Sequence, residues 1–205
     1  MTMKKTKIFS LNSLTQKDKK YISDALLSGK TVLLPTDTVY GITAFAKREI
    51  LPFLNAAKNN PQDKPAQILC SKNTAKILAE PSPALNTALK IWPGALTAIL
   101  RASQAGKVLS GIDTIGLRVP SSKFLEEIFN LCGGALYASS ANIHNLPTLE
   151  NQTDIINVFD GKADIIVING DLKSKPSAII DFTLNPPKVI RYGTLTEKDL
   201  KFLEL

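Results

Sequence analysis

The segment Pro35-Thr36-Asp37-Thr38-Val39-Tyr40-Gly41 directly follows the apolar run Thr31-Val32-Leu33-Leu34. A short apolar run of this kind is a buried strand, and the proline that closes it ends regular structure. The strand then presents two hydroxyls, a carboxylate and a phenol within five residues. At the C-terminal edge of an open sheet such a cluster is where a site for a small polar ligand is built. A strand that merely runs into a polar loop would look the same, so the remaining motifs have to decide.

The chain around this segment alternates helix and strand. Ser13 or Thr15 can cap a helix that runs through residue 27, with Tyr21, Ile22, Ala25 and Leu26 as its apolar stripe and Gly29 as its stop. Residues 42–45, 66–70, 96–100, 115–119, 135–138, 165–168, 178–182 and 188–190 read as further strands. A helix near residues 50–57, with Pro52 tolerable only in its first turn, delivers Lys58, and helices are also expected over 86–91, 124–129, 153–159 and 196–203. The pattern predicts an α/β fold: one twisted mixed sheet with flanking helices, mixed because several linkers are too short for a helical crossover. With no repeat or linker to divide it, the chain reads as a single domain over residues 1–205.

Composition narrows the class. No apolar stretch approaches a bilayer span and the N-terminus is polar, so a cytoplasmic protein with no membrane partner is expected. Cys70 and Cys132 lie far apart in apolar segments, which fits reduced buried thiols. The single histidine, His144, argues against a Cys/His zinc site, and no metal ligands are assigned. A net charge of +7 suits anionic ligands such as nucleotides or RNA.

Gly29-Lys30-Thr31 resembles the end of a phosphate-binding loop, but it follows a helix, precedes a strand and has Asp24 where the upstream glycine belongs. Lys58 and Lys64 flank a proline-containing loop; their ammonium groups could serve phosphate, or simply be solvated. Arg118 ends the run Ile115-Gly116-Leu117 and, if buried, needs an anionic partner, either a structural carboxylate or a ligand. Ser139-Ser140-Ala141-Asn142 places hydroxyls and an amide at a strand exit. With no nucleophile elbow and one histidine, these groups fit phosphate and ribose oxygens better than hydrolase chemistry.

Together with Trp92-Pro93-Gly94-Ala95-Leu96-Thr97, Arg118-Val119-Pro120 and Ile190-Arg191-Tyr192-Gly193, these motifs resemble, from about residue 11 to 193, the YrdC/Sua5 family. Those are L-threonylcarbamoyladenylate synthases, nucleotidyltransferases that begin tRNA t6A synthesis. The resemblance implies a YrdC-like sheet with a basic concave face, in the single-domain form, since 205 residues leave no room for a further C-terminal domain. It places L-threonine at Thr36, Thr38, Tyr40, Arg118, Ala138 and Ser177. It places ATP at Lys58, Asn60, Lys64, Thr114, Ser140, Asn142, Thr148 and Arg191, with Lys58 and Arg191 as the catalytic pair. Two positions depart from the family pattern. Asn60 stands where the family has an arginine, with Lys64 as a partial substitute, and Ala178 stands in the usual Ser-Thr pair.

The implied reaction joins ATP, L-threonine and bicarbonate, with Mg2+ carried by the ATP. A carbamate oxygen is already anionic, so attack on the α-phosphate needs alignment and charge neutralisation more than a base. tRNA and other t6A-synthesis proteins are the macromolecular partners that the resemblance implies. Two rivals share the motifs: an RNA-binding protein without chemistry, and a carbamoyl-adenylate enzyme with another acceptor.

Overall fold

Thr15 starts the first helix with a capping box, its hydroxyl accepting from the Asp18 amide while the Asp18 carboxylate accepts from the Thr15 amide. Gly29 stops it at φ +80°, a left-handed position that only glycine occupies without strain. The phosphate-loop look-alike is therefore a helix terminator. These details come from a computed structural model, which describes residues 5–143 and 146–201.

In chain order the elements are β1 (Lys7–Ser10), α1 (Gln16–Leu27), β2 (Val32–Pro35), β3 (Tyr40–Phe45), α2 (Leu51–Ala56), β4 (Gln67–Leu69) and α3 (Lys72–Leu78). Then come α4 (Pro83–Ile91), β5 (Leu96–Arg101), α5 (Gln104–Ser110), β6 (Thr114–Arg118), α6 (Lys123–Cys132) and β7 (Leu136–Ser140). The chain closes with α7 (Gln152–Phe159), β8 (Ile165–Ile168), β9 (Ala178–Asp181), β10 (Lys188–Arg191) and α8 (Glu197–Leu200). All strands join one 10-stranded sheet in the order β1-β8-β2-β3-β7-β4-β6-β5-β9-β10. The sheet is mixed as expected: β8 runs parallel to both β1 and β2, whereas β3 is antiparallel to β2 and β7.

Alternation along the strands builds a core on each face of the sheet. Val32 and Leu34 pack with Ile22 and Leu26 of α1 and Leu125, Ile128 and Phe129 of α6, while Leu33 joins Ile42, Leu54, Leu85, Trp92 and Phe159 in a second cluster. Both Cys70 and Cys132 are buried free thiols, and burial pushes the Cys70 thiol up to about 12.

Three elements escaped the sequence reading. Strand β1 carries the polar edge residues Lys7 and Ser10, and it is a strand only because β8 pairs with it. Helices α3 and α5 are short, each capped by a serine, Ser71 and Ser103, and they pack on each other, with α5 lying equally against β6. Strand β3 also begins earlier than expected, so Tyr40 and Gly41 belong to the sheet rather than to the polar turn. His144 and the last residues of the expected 196–203 helix lie outside the described residues. Among the described residues no helix is long and apolar enough to cross a membrane, and no His/Cys/Asp/Glu cluster could hold a metal ion.

Candidate functional site

The polar turn after β2 is stitched together by Thr36. Its hydroxyl donates to Val39 O at 2.6 Å and accepts from the amides of Thr38 and Val39 at 3.1 and 3.2 Å. A hydroxyl that closes its own turn fixes the direction of its neighbours. Thr38 and Asp37 consequently point at the end of β6, where Arg118 Nη1 donates to Thr38 Oγ1 at 2.9 Å and Nη2 to Asp37 Oδ1 at 2.7 Å. The Arg118 Nε reaches Gly94 O at 3.3 Å, so the Trp92-Pro93-Gly94 turn also grips the guanidinium.

Arg118 is 2% exposed, and Asp37 is the internal carboxylate that makes this tolerable. Asp37 also accepts from the Ser121 amide at 3.0 Å. Of the two partners foreseen for Arg118, the structural carboxylate is thus in place. Burial holds the Arg118 guanidinium below its ordinary value; Asp37 pulls the other way and nearby Arg191 adds to the depression.

Lys58 follows α2 by a short turn, and Asn59 takes the left-handed conformation at φ 56° that turns the chain away from the helix. It is no solvated loop lysine: it is 4% exposed. Its ammonium donates to Ser139 Oγ at 2.6 Å, Ser140 O at 2.6 Å and Asn142 Oδ1 at 2.9 Å, all neutral oxygens. Burial, with the Lys64 charge adding to it, brings the Lys58 amine down to about 8.

The Ser139-Ser140-Ala141-Asn142 segment, whose Ser139, Ser140 and Asn142 line the site, also holds Lys58. Ser140 Oγ donates to Asn142 Oδ1 at 2.7 Å, and the Asn142 amide donates to Ile143 O and Leu146 O. Its amide protons are committed to the loop, and the segment acts first as a cradle for Lys58. Asn60 and Lys64 are joined at 3.2 Å, Nζ to Oδ1, on the same side of the site.

These groups surround a cavity of about 580 Å3 whose floor crosses β3, β7, β4, β6, β5 and β9. Thr97 and Ile99 on β5, and Thr114, Gly116 and Arg118 on β6, reach it because alternate residues share a face. Thr36, Tyr40, Lys58, Asn60, Lys64, Thr114, Arg118, Ala138, Ser140, Asn142, Ser177 and Arg191 all line it. Thr38 sits behind the wall, holding Arg118, and Thr148 is half-buried away from the lining. The Tyr40 hydroxyl is already engaged, donating to Gly170 O and accepting from the Asn169 amide, each at 2.6 Å. Arg191 is exposed and donates through Nε and Nη2 to Ser177 O at 3.2 and 2.9 Å.

Sequence reasoning missed Asp37 as the partner of Arg118, Ser139 as a ligand of Lys58, and Gln67 and Thr97 as wall residues. Thr97 stood in a motif read as packing, and Gln67 was a lone polar residue in an apolar strand; that polarity was the available signal. No Asp or Glu lines the cavity among the described residues, whereas two lysines and two arginines do.

A cation-lined cleft across a mixed α/β sheet, with apolar Ile99, Ile112 and Ile179 beside fixed hydroxyls, has the charge and shape that suit an anionic small molecule. The chain belongs to the Sua5/YciO/YrdC family, whose model, described as "Telomere recombination", matches residues 24–193. It is 32% identical over 180 residues to the threonylcarbamoyl-AMP synthase of Pyrococcus abyssi, covering 84% of this chain and 53% of that protein. A putative threonylcarbamoyl-AMP synthase of Methanocaldococcus jannaschii is 29% identical over 199 residues, covering 93% of this chain and 95% of the relative. The crystal structure of P. abyssi Sua5 complexed with L-threonine superposes with a TM-score of 0.88 at 28% identity, over 97% of this chain and 61% of that one. Escherichia coli YciO shares the fold, with a TM-score of 0.83 at 20% identity over 96% of this chain and 99% of that one. The chain spans about half the length of the P. abyssi synthase, at 53% of it.

Proposed function

We propose that this chain makes L-threonylcarbamoyl-AMP and pyrophosphate from L-threonine, bicarbonate and ATP, a nucleotidyl transfer that supplies tRNA t6A modification. The observation that carries the reading is the cavity itself, where Lys58, Arg118 and Arg191 meet the hydroxyls of Thr36 and Ser177 with no carboxylate in the lining of the described residues. The likeness to named threonylcarbamoyl-AMP synthases and to a threonine-bound relative supports it.

Bicarbonate condenses with the amine of threonine to a carbamate, losing water. A carbamate oxygen then bonds to the α-phosphorus of ATP, and the bond from that phosphorus to the bridging oxygen breaks to release pyrophosphate. The nucleophile is anionic already, so the protein's task is to align and neutralise. Lys58, pinned by three oxygens, is a fixed positive charge for the phosphates, and Arg191 faces the same space from β10. Lys64 stands beside Asn60, where its charge offsets the missing arginine. Arg118 has N–H groups beyond those used by Asp37, Thr38 and Gly94, and these suit the carboxylate of threonine. Mg2+ would arrive with the ATP, held by its phosphates, and would supply charge neutralisation at phosphorus.

The test is pyrophosphate release with ATP, bicarbonate and L-threonine, each omitted in turn. Release that requires all three is the expected result, and release unchanged without threonine would sink the assignment. Salt-sensitive RNA binding with no ATP turnover would instead establish the non-catalytic reading.

A further inference from the structure

Gln67, Thr97 and Ser177 form a hydrogen-bonded line along the cavity wall, with 2.8 Å from Thr97 Oγ1 to Gln67 Oε1 and 2.8 Å from Thr97 Oγ1 to Ser177 Oγ. Thr97 and Ser177 are 3% and 2% exposed, so water does not dilute the order of this line. A carboxamide oxygen only accepts, and a hydroxyl has a single proton to give. The Thr97 proton therefore goes to Gln67, and Thr97 can meet Ser177 only as an acceptor. The Ser177 proton is in turn spent on Thr97, which leaves its lone pairs for whatever lies in the cavity.

The backbone keeps this line in place. In the sheet β6 lies between β4, which carries Gln67, and β5, which carries Thr97. The two side chains meet across β6 beside Gly116, where a Cβ would make only ordinary contacts, 3.9 Å from Gln67 Cα and 4.0 Å from Thr97 Cγ2. Ser177 is held from behind, its carbonyl accepting from Arg191 and the neighbouring Pro176 O accepting from the Thr194 amide at 2.9 Å.

We propose that Gln67 and Thr97 are positioning residues that make Ser177 an obligate acceptor. At that point the cavity selects a ligand group bearing an N–H or O–H and rejects a carboxylate or phosphate oxygen. This rests on the reading of the cavity as an amino-acid site: the amine or the hydroxyl of threonine is the group that Ser177 takes, and the anionic ends of both substrates are directed to the cations.

Calorimetric titration of the full chain with L-threonine tests the ordering, with near-ultraviolet circular dichroism as the check of folding. Thr97→Val, which keeps shape and removes the hydroxyl, should weaken binding about tenfold. Thr97→Ser should restore it. Ser177→Ala should cost about the same, and the Thr97→Val/Ser177→Ala double variant no more than either alone, because both remove one contact. Gln67→Met, at a half-buried position, should cost about threefold by freeing the Thr97 proton. Additive losses in the double variant, or unchanged affinity in folded Thr97→Val or Gln67→Met, overturn the proposal. If the unaltered chain binds no L-threonine, the proposed function falls and this inference with it.

Discussion

Arg118 Nη2 stands 2.7 Å from Asp37 Oδ1 at a site where the guanidinium is 2% exposed, so the ion pair lies almost wholly out of water. The carboxylate that neutralises this arginine comes from the polar turn after β2. That turn and the end of β6 are therefore one electrostatic unit, and Arg118, held by it, lines the cavity.

Removing the carboxylate should leave a buried charge alone. Asp37→Ala is expected to lose about 3 kcal/mol or more of stability in urea denaturation, with Asp37→Asn losing less. Arg118→Lys keeps the charge beside Asp37 but gives up the planar fork, so it should fold and bind L-threonine more weakly while ATP affinity changes little. An Asp37→Ala variant as stable as the unaltered chain would show the pair to be idle.

Lys58 gives the site a pH dependence whose sign follows from its depressed value of about 8. ATP affinity should be flat below that value and fall above it, approaching about tenfold per pH unit, because the deprotonated amine no longer attracts phosphate. Stability should move the other way. Between about 8 and the ordinary 10.5 the unfolded chain holds the extra proton, so raising pH through that window stabilises the fold. ATP titrations across this range on the unaltered chain and on Lys58→Met, which should remove the dependence, check the first sign, and urea denaturation of both chains over the same range checks the second.

Asn60 and Lys64, linked at 3.2 Å, share the place where the family pattern has an arginine. Asn60→Arg should raise ATP affinity several-fold, the gain shrinking with added salt, and Lys64→Ala should lower it. Titration at two salt concentrations measures both. No change in either variant would move the phosphate site elsewhere.

Gly193 lies against the segment that carries Ser177. A Cβ there would overlap Pro176 O and approach Ser177 C to 2.8 Å, so the backbone has to shift. Gly193→Ala should cost about 1–3 kcal/mol in denaturant and weaken L-threonine binding by displacing Ser177. Retained stability together with retained affinity would contradict the tight approach.

The sequence alone determined the central strands, the first helix with its Thr15 cap and Gly29 stop, and the residue types gathered around the cavity, because apolar periodicity, capping and turn chemistry act within a few residues. It could not show β1, whose Lys7 and Ser10 give no apolar pattern and which exists only through pairing with β8. It also could not tell how the polar groups divide their hydrogen bonds. That Arg118 meets Asp37 across 81 residues, that Lys58 is buried in a cradle of Ser139, Ser140 and Asn142, and that Ser177 and Thr97 share a hydrogen bond are all decided by the order of strands in the sheet. Each of those contacts links residues distant in the chain, and the proton and charge assignments that set the chemistry follow from which acceptor the fold brings within reach.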